Sequence, residues 1–348
     1  MGGTMNHQQT GVLSDSFGRV ARDLRVSLTD RCNLRCTYCM PAEGLEWFPT
    51  AQTLNDEETL RLIRIAVEDL GIRQVRFTGG EPLMRRSLEK IVAATKKMRT
   101  DEGTAPQTAI TTNGLGLDKR AAKLAEAGLD RVNISLDTLD PEHYARLTRR
   151  DRHQGVLKGI QGALDAGLTP VKINTVIMPG INDADINELA AFALSRGLEL
   201  RFIEQMPLGP PHTWDRSAMI TAEDILDELA RRFDLEPADK PRGSAPAALW
   251  RACDRLNPEV TGLIGVIASV SHPFCADCDR TRLTTDGAVR SCLFSREETS
   301  LRDLMRAGAS DAELAQAWQD VMARKKAGHG IDDPSFVQPS RPMSAIGG

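Results

Sequence analysis

The sequence predicts an α/β fold: a partial (β/α)6 barrel of the TIM type, with a smaller C-terminal domain closing the barrel mouth. Three observations carry that prediction. Short β-type runs alternate six times with segments of helical periodicity, as a parallel sheet with crossover helices requires. Residues with chemical capacity fall where those runs end, the rim at which such barrels keep their working groups. From Pro237 the rhythm stops, and a stretch rich in Pro, Gly, Asp and Ser introduces a region with cysteines of its own. The organisation that follows is an arm over residues 1–20, a barrel over 21–236 and a smaller domain over 237–348.

Taken in order, residues 1–20 are polar and glycine-containing and read as a loose arm, with Met5 an alternative start. The six β-type runs are residues 24–28, 74–78, 108–112, 131–135, 171–177 and 199–204. The first helix is expected over 55–70, with Asn55 as N-cap, Leu60, Ile63 and Val67 on the apolar stripe, and Gly71 closing it. Further helices are expected over 87–98, 119–127, 155–166, 183–195 and 222–232. Gly128, Gly167 and Gly197 end the middle three, because glycine takes the left-handed C-terminal turn without a Cβ penalty. Past a linker at 237–246 come a second cysteine set, a helical stretch over 301–326 and a polar tail ending Ile346-Gly347-Gly348.

Composition bounds the function. With 348 residues, 41% hydrophobic and 26% charged, the chain is long enough to bury a large core. A net charge of −4 argues against general affinity for nucleic acid or membrane, so an anionic ligand must be met by local arginines. No run approaches the roughly 20 apolar residues of a membrane span, and residues 1–22 lack the apolar stretch of a signal peptide. Asn6 stands where a myristoylation signal wants Ser or Thr. The seven cysteines are an odd number, with six in two tight groups. That pattern suits metal-ligating thiolates in a reducing cytoplasm rather than disulfides. Cys253 is left over as a structural thiol.

The chemical centre is the loop after the first run, S-L-T-D-R-C-N-L-R-C-T-Y-C-M, with Cys32, Cys36 and Cys39 at C-x3-C-x2-C. Three thiolates suit a four-iron cube better than zinc, which in a structural site takes four protein ligands. One iron then stays open, and the amino and carboxylate groups of S-adenosylmethionine can chelate it. This spacing, with Tyr38 just before the last cysteine, resembles the signature of the radical S-adenosylmethionine superfamily. Gly79-Gly80-Glu81-Pro82, directly after the second run, lets backbone pass close to the methionine moiety, and Ser135 is a further polar contact.

The second set, Cys275, Cys278 and Cys292, also lacks a fourth ligand. Either His272 completes a zinc site, or a second cube uses its open iron to bind a substrate atom. Between those cysteines, Arg280 and Arg282 flank Thr281 and point the same way on an extended segment, giving two planar forks for phosphate. Arg25, Arg76, Lys172 and Arg201 lie in barrel strands, where a cation is costly unless it finds an anion. Together they imply a polyanion, and a nucleoside triphosphate fits.

The two cysteine spacings, the strings C-D-R-T-R-L from Cys278 and R-F-I-E from Arg201, and the terminal Gly-Gly resemble the molybdenum cofactor biosynthesis protein A family, the GTP 3′,8-cyclases, from about Phe17 to Gly348. The resemblance implies two [4Fe-4S] clusters, one on Cys32, Cys36 and Cys39 and one on Cys275, Cys278 and Cys292. It puts Tyr38, Gly80, Ser135 and Met206 at S-adenosylmethionine. Arg25, Arg76, Thr111, Lys172, Arg280, Thr281 and Arg282 fall at GTP, with Arg201 a further contact and the Gly347-Gly348 tail entering the site. Gln74 departs from the family, which carries Lys there, and Ala345 stands where an aromatic residue precedes the isoleucine. The implied reaction removes hydrogen from C3′ of the GTP ribose and joins C3′ to C8, giving 3′,8-cyclo-7,8-dihydroguanosine triphosphate. Implied partners are an electron-donor protein, the cyclic pyranopterin monophosphate synthase that takes the product, and a second copy in a homodimer. Two rivals remain: a peptide-maturing radical enzyme with an auxiliary cluster, and a non-enzymatic zinc or iron–sulfur redox sensor. The arginine pair and the Gly-Gly terminus speak against the first.

Overall fold

A computed structural model describes residues 11–210, 214–239, 241–333 and 336–347. Six strands, β1 (Asp23–Ser27), β2 (Gln74–Thr78), β3 (Gln107–Thr112), β4 (Arg131–Ser135), β5 (Val171–Ile177) and β6 (Glu199–Glu204), lie side by side in chain order and all parallel. These are the six expected runs, shifted by at most one residue at an end. Side chains alternate along each strand. Leu24, Val26, Val75, Phe77, Ile134, Ile173, Leu200 and Phe202 are all but inaccessible and pack outward. Arg25, Arg76, Thr111, Asn174 and Arg201 take the inner face. The apolar face therefore holds the helices on, at about 1.5–3 kcal/mol per fully buried aliphatic or aromatic side chain, and leaves a polar interior.

The helices outside are α1 (Asp56–Arg64), α2 (Leu88–Thr95), α3 (Ala121–Glu126), α4 (Pro141–Thr148), α5 (His153–Asp165), α6 (Ile186–Leu194) and α7 (Ala222–Ala230). In α1 the Asn55 side chain accepts from Glu58 N–H and Glu58 bonds back to Asn55 N–H, the cap the sequence predicts. The expected helix runs on to Leu70 only by widening into a π-turn over Ile65–Asp69. Gly128, Gly167 and Gly197 do adopt positive φ at the helix ends. α4 is an addition to the expected pattern. Asp140 caps it by accepting from Glu142 and His143 N–H, and Pro141 occupies its first turn.

The C-terminal region extends the same sheet at both edges. β7 (Phe233–Pro237), β8 (Ala248–Asp254) and β9 (Thr261–Ile267) form an antiparallel meander whose last strand joins β6 in parallel. Pro237, the first residue of the expected linker, is thus a strand residue opposite Trp250. On the other side β10 (Arg280–Leu283) pairs in parallel with β1, followed by β11 (Ala288–Arg290) and β12 (Thr299–Ser300), giving twelve strands in one sheet among the described residues. The helical stretch expected over 301–326 divides into α8 (Leu301–Arg306) and α9 (Asp311–Ala323) at Gly308, whose φ is +95°. A short α10 (Met343–Ile346) ends the described chain.

Residues 11–20, expected as part of a loose arm, are mostly exposed but tied down at two points. Leu13 is fully buried, and Arg19, held by Asp15 at 2.6 Å, donates to the carbonyls of Cys275, Lys326 and Ala327. Residues 1–10, including Met5, lie outside the described residues.

Candidate active site

The strand ends and the C-terminal strands enclose a cavity of about 320 Å³ lined by all six clustered cysteines. The first three sit on the loop between β1 and α1, and α4 fastens that loop. Arg35 and Thr37 N–H donate to the last carbonyls of α4, Thr148 and Leu147, both at 2.9 Å. Arg149 follows with φ +53°, the sole non-glycine residue in the left-handed region among those described. Its guanidinium returns bonds to the carbonyls of Arg35 (3.0 Å) and Met40 (3.1 Å), on either side of Cys36 and Cys39. A strained backbone at this point is held by contacts that locate the thiols.

From the β4 end, Asp137 accepts Tyr38 Oη at 2.8 Å and Val176 N–H at 2.9 Å. Burial raises the Asp137 carboxyl to about 6. Burial likewise raises the thiols of Cys32 and Cys36, and pushes Cys39 up to about 12. Sulfurs so costly to ionise gain most from an iron cation that takes the place of their protons. Among the described residues no three His, Cys, Asp or Glu side chains converge closely enough to hold a single ion. All six thiols nonetheless line the one cavity.

Gly79 and Gly80 have a reason beyond the cofactor. A Cβ on Gly79 would stand 2.3 Å from Thr29 O, and one on Gly80 2.3 Å from Arg31 O. Gly80 and Glu81 N–H bond to those same carbonyls, so both N–H groups are committed to the cysteine loop. Gly80 still lines the cavity. The buried Glu81 carboxylate, raised by desolvation to about 7, accepts from Leu83 N–H, Thr112 Oγ1 and Asn113 N–H and ties β2 to β3.

Across the cavity, Cys278 Sγ accepts from Arg280 Nε and Lys325 Nζ, both at 3.3 Å. Burial opposes ionisation there, yet the two cations outweigh it and bring the thiol down to about 7. His272 is exposed, with its ring beside Ser271 Oγ, and is not on the cavity wall. The histidine that lines the wall is His329, and both its nitrogens are used, by Ser269 O and Ile331 N–H. A zinc site completed by His272 therefore lacks its fourth ligand.

The interior is strongly cationic. Arg25, Arg76, Arg201, Arg280 and Arg282 line it together with Thr111, Ser135 and Met206. Sheet register explains the grouping: Arg25 lies opposite Arg76 on β2 and Arg282 on β10. Burial and mutual crowding bring Arg25 well below the usual arginine range, and burial takes Arg201 and Arg282 to about 10. Nε of Arg25, Arg76 and Arg201 is buried with no hydrogen-bond partner. Buried donors in that condition fit an anionic ligand.

Two of the expected residues are not on the cavity wall. Thr281 faces away from the cavity, because alternation that turns Arg280 and Arg282 inward turns it outward, where its hydroxyl accepts from Trp318 Nε1 at 2.9 Å. Lys172 lies below the cavity wall, with Nζ on both oxygens of Glu199. Gln74, the departure from the family, accepts from Arg131 at 2.9 Å. Near the tail, Arg282 donates to Gly347 O, and Ser344 lines the cavity with its N–H on Cys39. A Cβ on Gly347 would stand 2.9 Å from Thr78 Cγ2. Gly348 lies outside the described residues.

Sequence reasoning passed over Arg149, Lys325 and Glu204. The buried Glu204 carboxylate accepts from Ala222, Val270 and Ser271 N–H and from the Ser271 hydroxyl, so it fixes the loop leading to Cys275. Its place in the R-F-I-E string was the available signal. Arg149 and Lys325 gave none, since each acts through a fold-dependent contact.

The chain matches the Radical SAM superfamily over residues 26–193 and Molybdenum Cofactor Synthesis C over 198–331. It is 68% identical over 337 residues to the GTP 3′,8-cyclase of Corynebacterium glutamicum (strain ATCC 13032), covering 97% of this chain and 89% of that protein. To the GTP 3′,8-cyclase of Mycobacterium marinum it is 60% identical over 338 residues, covering 97% and 92%. Among solved structures, Streptococcus suis SuiB bound to S-adenosylmethionine superposes with a TM-score of 0.57 at 17% identity, over 87% of this chain and 65% of that one. At that identity the likeness is one of fold.

Proposed function

We infer the working of the cavity from one premise: the chain belongs to the GTP 3′,8-cyclase family, within the radical S-adenosylmethionine superfamily. The enzyme converts GTP to 3′,8-cyclo-7,8-dihydroguanosine triphosphate, the first step of molybdenum cofactor biosynthesis. Bound at the two triads, the iron–sulfur clusters and S-adenosylmethionine supply the one-electron chemistry that takes hydrogen from C3′ of the ribose.

The protein's own part is binding, orientation and exclusion of water. Arg25, Arg76, Arg201, Arg280 and Arg282 hold the triphosphate. The observation that carries this is the group of unpartnered buried Nε atoms in a cavity shared with both cysteine triads. The first triad follows the end of β1, while Cys275 and Cys278 precede β10, whose first residue stands opposite Asp23, so Arg25, Arg280 and Arg282 lie between the triads along β1 and β10 and receive the phosphates there. Thr111 and Asn174 are the polar contacts available beside the phosphates, while Tyr38, Gly80, Ser135 and Met206 take S-adenosylmethionine. Arg280 and Lys325 hold the Cys278 sulfur as thiolate. The tail, through Gly347 on Arg282, closes the cavity over the substrate.

The reading places the enzyme in the cytoplasm, where reducing conditions keep six thiols available. Its electrons come from a donor protein, its product passes to cyclic pyranopterin monophosphate synthase, and a homodimer is its assembly. Among the described residues no helix is long and apolar enough to cross a membrane. The test is turnover: reduced, anaerobically reconstituted protein with S-adenosylmethionine and GTP is expected to release the cyclised nucleotide, seen by mass spectrometry. Deoxyadenosine released while GTP stays intact would overturn the reading.

A further inference from the structure

Lys325 and Lys326 follow α9 side by side and fare differently. Lys326 is exposed, whereas Lys325 is buried, with 4% of its surface accessible. Helical period is the cause: Leu314, Trp318, Val321 and Met322 form the buried stripe of α9, and Lys325 falls where that stripe continues past the helix end. An apolar residue would fill the place without needing a partner. Lys325 Nζ instead has an acceptor for each proton of an ammonium: Arg280 O at 3.0 Å, Cys278 O at 3.1 Å and Cys278 Sγ at 3.3 Å. None of these is a carboxylate, and a buried cation is costly without an anion. The anion within reach is the Cys278 thiolate.

Lys325 does not line the cavity, so it takes no part in holding the nucleotide. It comes to the second triad from α9, the helix whose Trp318 reaches Thr281. Arg280 comes to the same sulfur from the cavity wall, at 3.3 Å. Cys278 thus has two cationic donors. The first triad is built otherwise. Cys32 Sγ accepts from Leu34 N–H at 3.5 Å and lies 4.0 Å from Asn113 Nδ2, and Cys39 has Ser344 N–H, all neutral donors. Arg35 gives its hydrogen bonds to the carbonyls of Cys32 and Leu34 rather than to a sulfur. The buried carboxyl groups of Asp137 and Glu81 stand close enough to oppose negative charge on Cys36 and Cys32.

An iron–sulfur centre gains one negative charge when it is reduced, and charge-assisted hydrogen bonds to its sulfurs favour that state. We propose that Lys325 is a positioning residue that acts through Cys278 to raise the reduction potential of the centre at Cys275, Cys278 and Cys292, without touching the nucleotide. This rests on the reading of that triad as an iron–sulfur site. The first triad, with neutral donors and neighbouring carboxyl groups, is tuned the other way.

The experiment is an anaerobic redox titration of the reconstituted full chain, followed by electron paramagnetic resonance. Each centre is read alone, the second in Cys32→Ala/Cys36→Ala/Cys39→Ala and the first in Cys275→Ala/Cys278→Ala/Cys292→Ala. Lys325→Met is added to each; it keeps the apolar stem and removes the charge. At the potential where the second centre with Lys325 is half reduced, the variant's reduced-to-oxidised ratio should be lower by about tenfold, a midpoint about 59 mV lower for a one-electron couple. Lys325→Gln, which keeps a neutral donor, should lower the midpoint too, and it decides the matter if Lys325→Met assembles no second centre. The first centre should change by less than about twofold in the same ratio. A second-centre midpoint that does not fall, or one that falls equally at both centres, would overturn the proposal. Wild-type protein that assembled no iron–sulfur centre on Cys275, Cys278 and Cys292 would instead overturn the reading of that triad.

Discussion

Replacing Glu204 with glutamine tests how the second cysteine triad is held. One carboxylate oxygen accepts Ala222 N–H at 2.8 Å and the Ser271 hydroxyl, and the other accepts Val270 and Ser271 N–H at 2.7 and 2.9 Å. Glutamine fares best with its amide nitrogen on the Ala222 side, where the Ser271 hydroxyl can turn and accept. The Ala222 N–H, at the first turn of α7, then loses its acceptor. One buried unpaired N–H costs about 1–3 kcal/mol, and two charge-assisted bonds becoming neutral cost about 1 kcal/mol each. The sum is roughly 4 kcal/mol. At about 2.1 cal/mol/K per residue, unfolding 348 residues carries roughly 0.7 kcal/mol/K, so the midpoint should fall by roughly 5 °C. Thermal unfolding of the reconstituted variant under anaerobic conditions measures this, and iron content should fall selectively at the second triad. A midpoint within a degree of wild type, with full iron, would refute the reasoning.

Three further outcomes are expected. Arg282→Ala removes a buried fork and should raise KM for GTP at least tenfold, about 1.5–3 kcal/mol, with iron content and S-adenosylmethionine binding unchanged; loss of iron would mean Arg282 is structural. Arg149→Gly relieves a left-handed backbone costing about 1–2 kcal/mol and loses two carbonyl bonds of about 1 kcal/mol each. Its global stability should therefore hardly change while a chelator strips iron several-fold faster, and wild-type stripping rates would contradict the clamp. In metal-free protein Cys278, brought down to about 7 by Arg280 and Lys325, should be alkylated half-maximally near pH 7, rising with pH as thiolate forms. Cys39, pushed up to about 12, should stay unreactive across neutral pH; equal pH profiles by mass spectrometry would contradict that assignment.

The parallel strands were legible because each is a short apolar run between turn formers, and the outer face of the barrel follows the period of two. α4 was not: its proline sits in the first turn, and only Tyr144 and Leu147 mark a buried apolar stripe. The metal ligands were legible because thiol spacing is local. Contacts that depend on register were not. Lys172 pairs with Glu199, 27 residues away on the next strand. Thr281 was expected beside its arginine neighbours, although the alternation that aligns Arg280 with Arg282 turns it toward Trp318. His272 is near the second cysteine set in sequence and off the wall in space. The C-terminal region reads as a separate domain because its strands are short and irregular, yet it completes the barrel sheet by pairing β10 with β1 and β9 with β6.

The central claim is that one cavity brings the ribose C3′ of GTP to the cofactor held at Cys32, Cys36 and Cys39. GTP carrying deuterium at C3′ tests it directly in a single turnover with the reconstituted enzyme. The account predicts deuterium in the released deoxyadenosine, in step with formation of the cyclised nucleotide. Deoxyadenosine free of deuterium alongside cyclised product would contradict it.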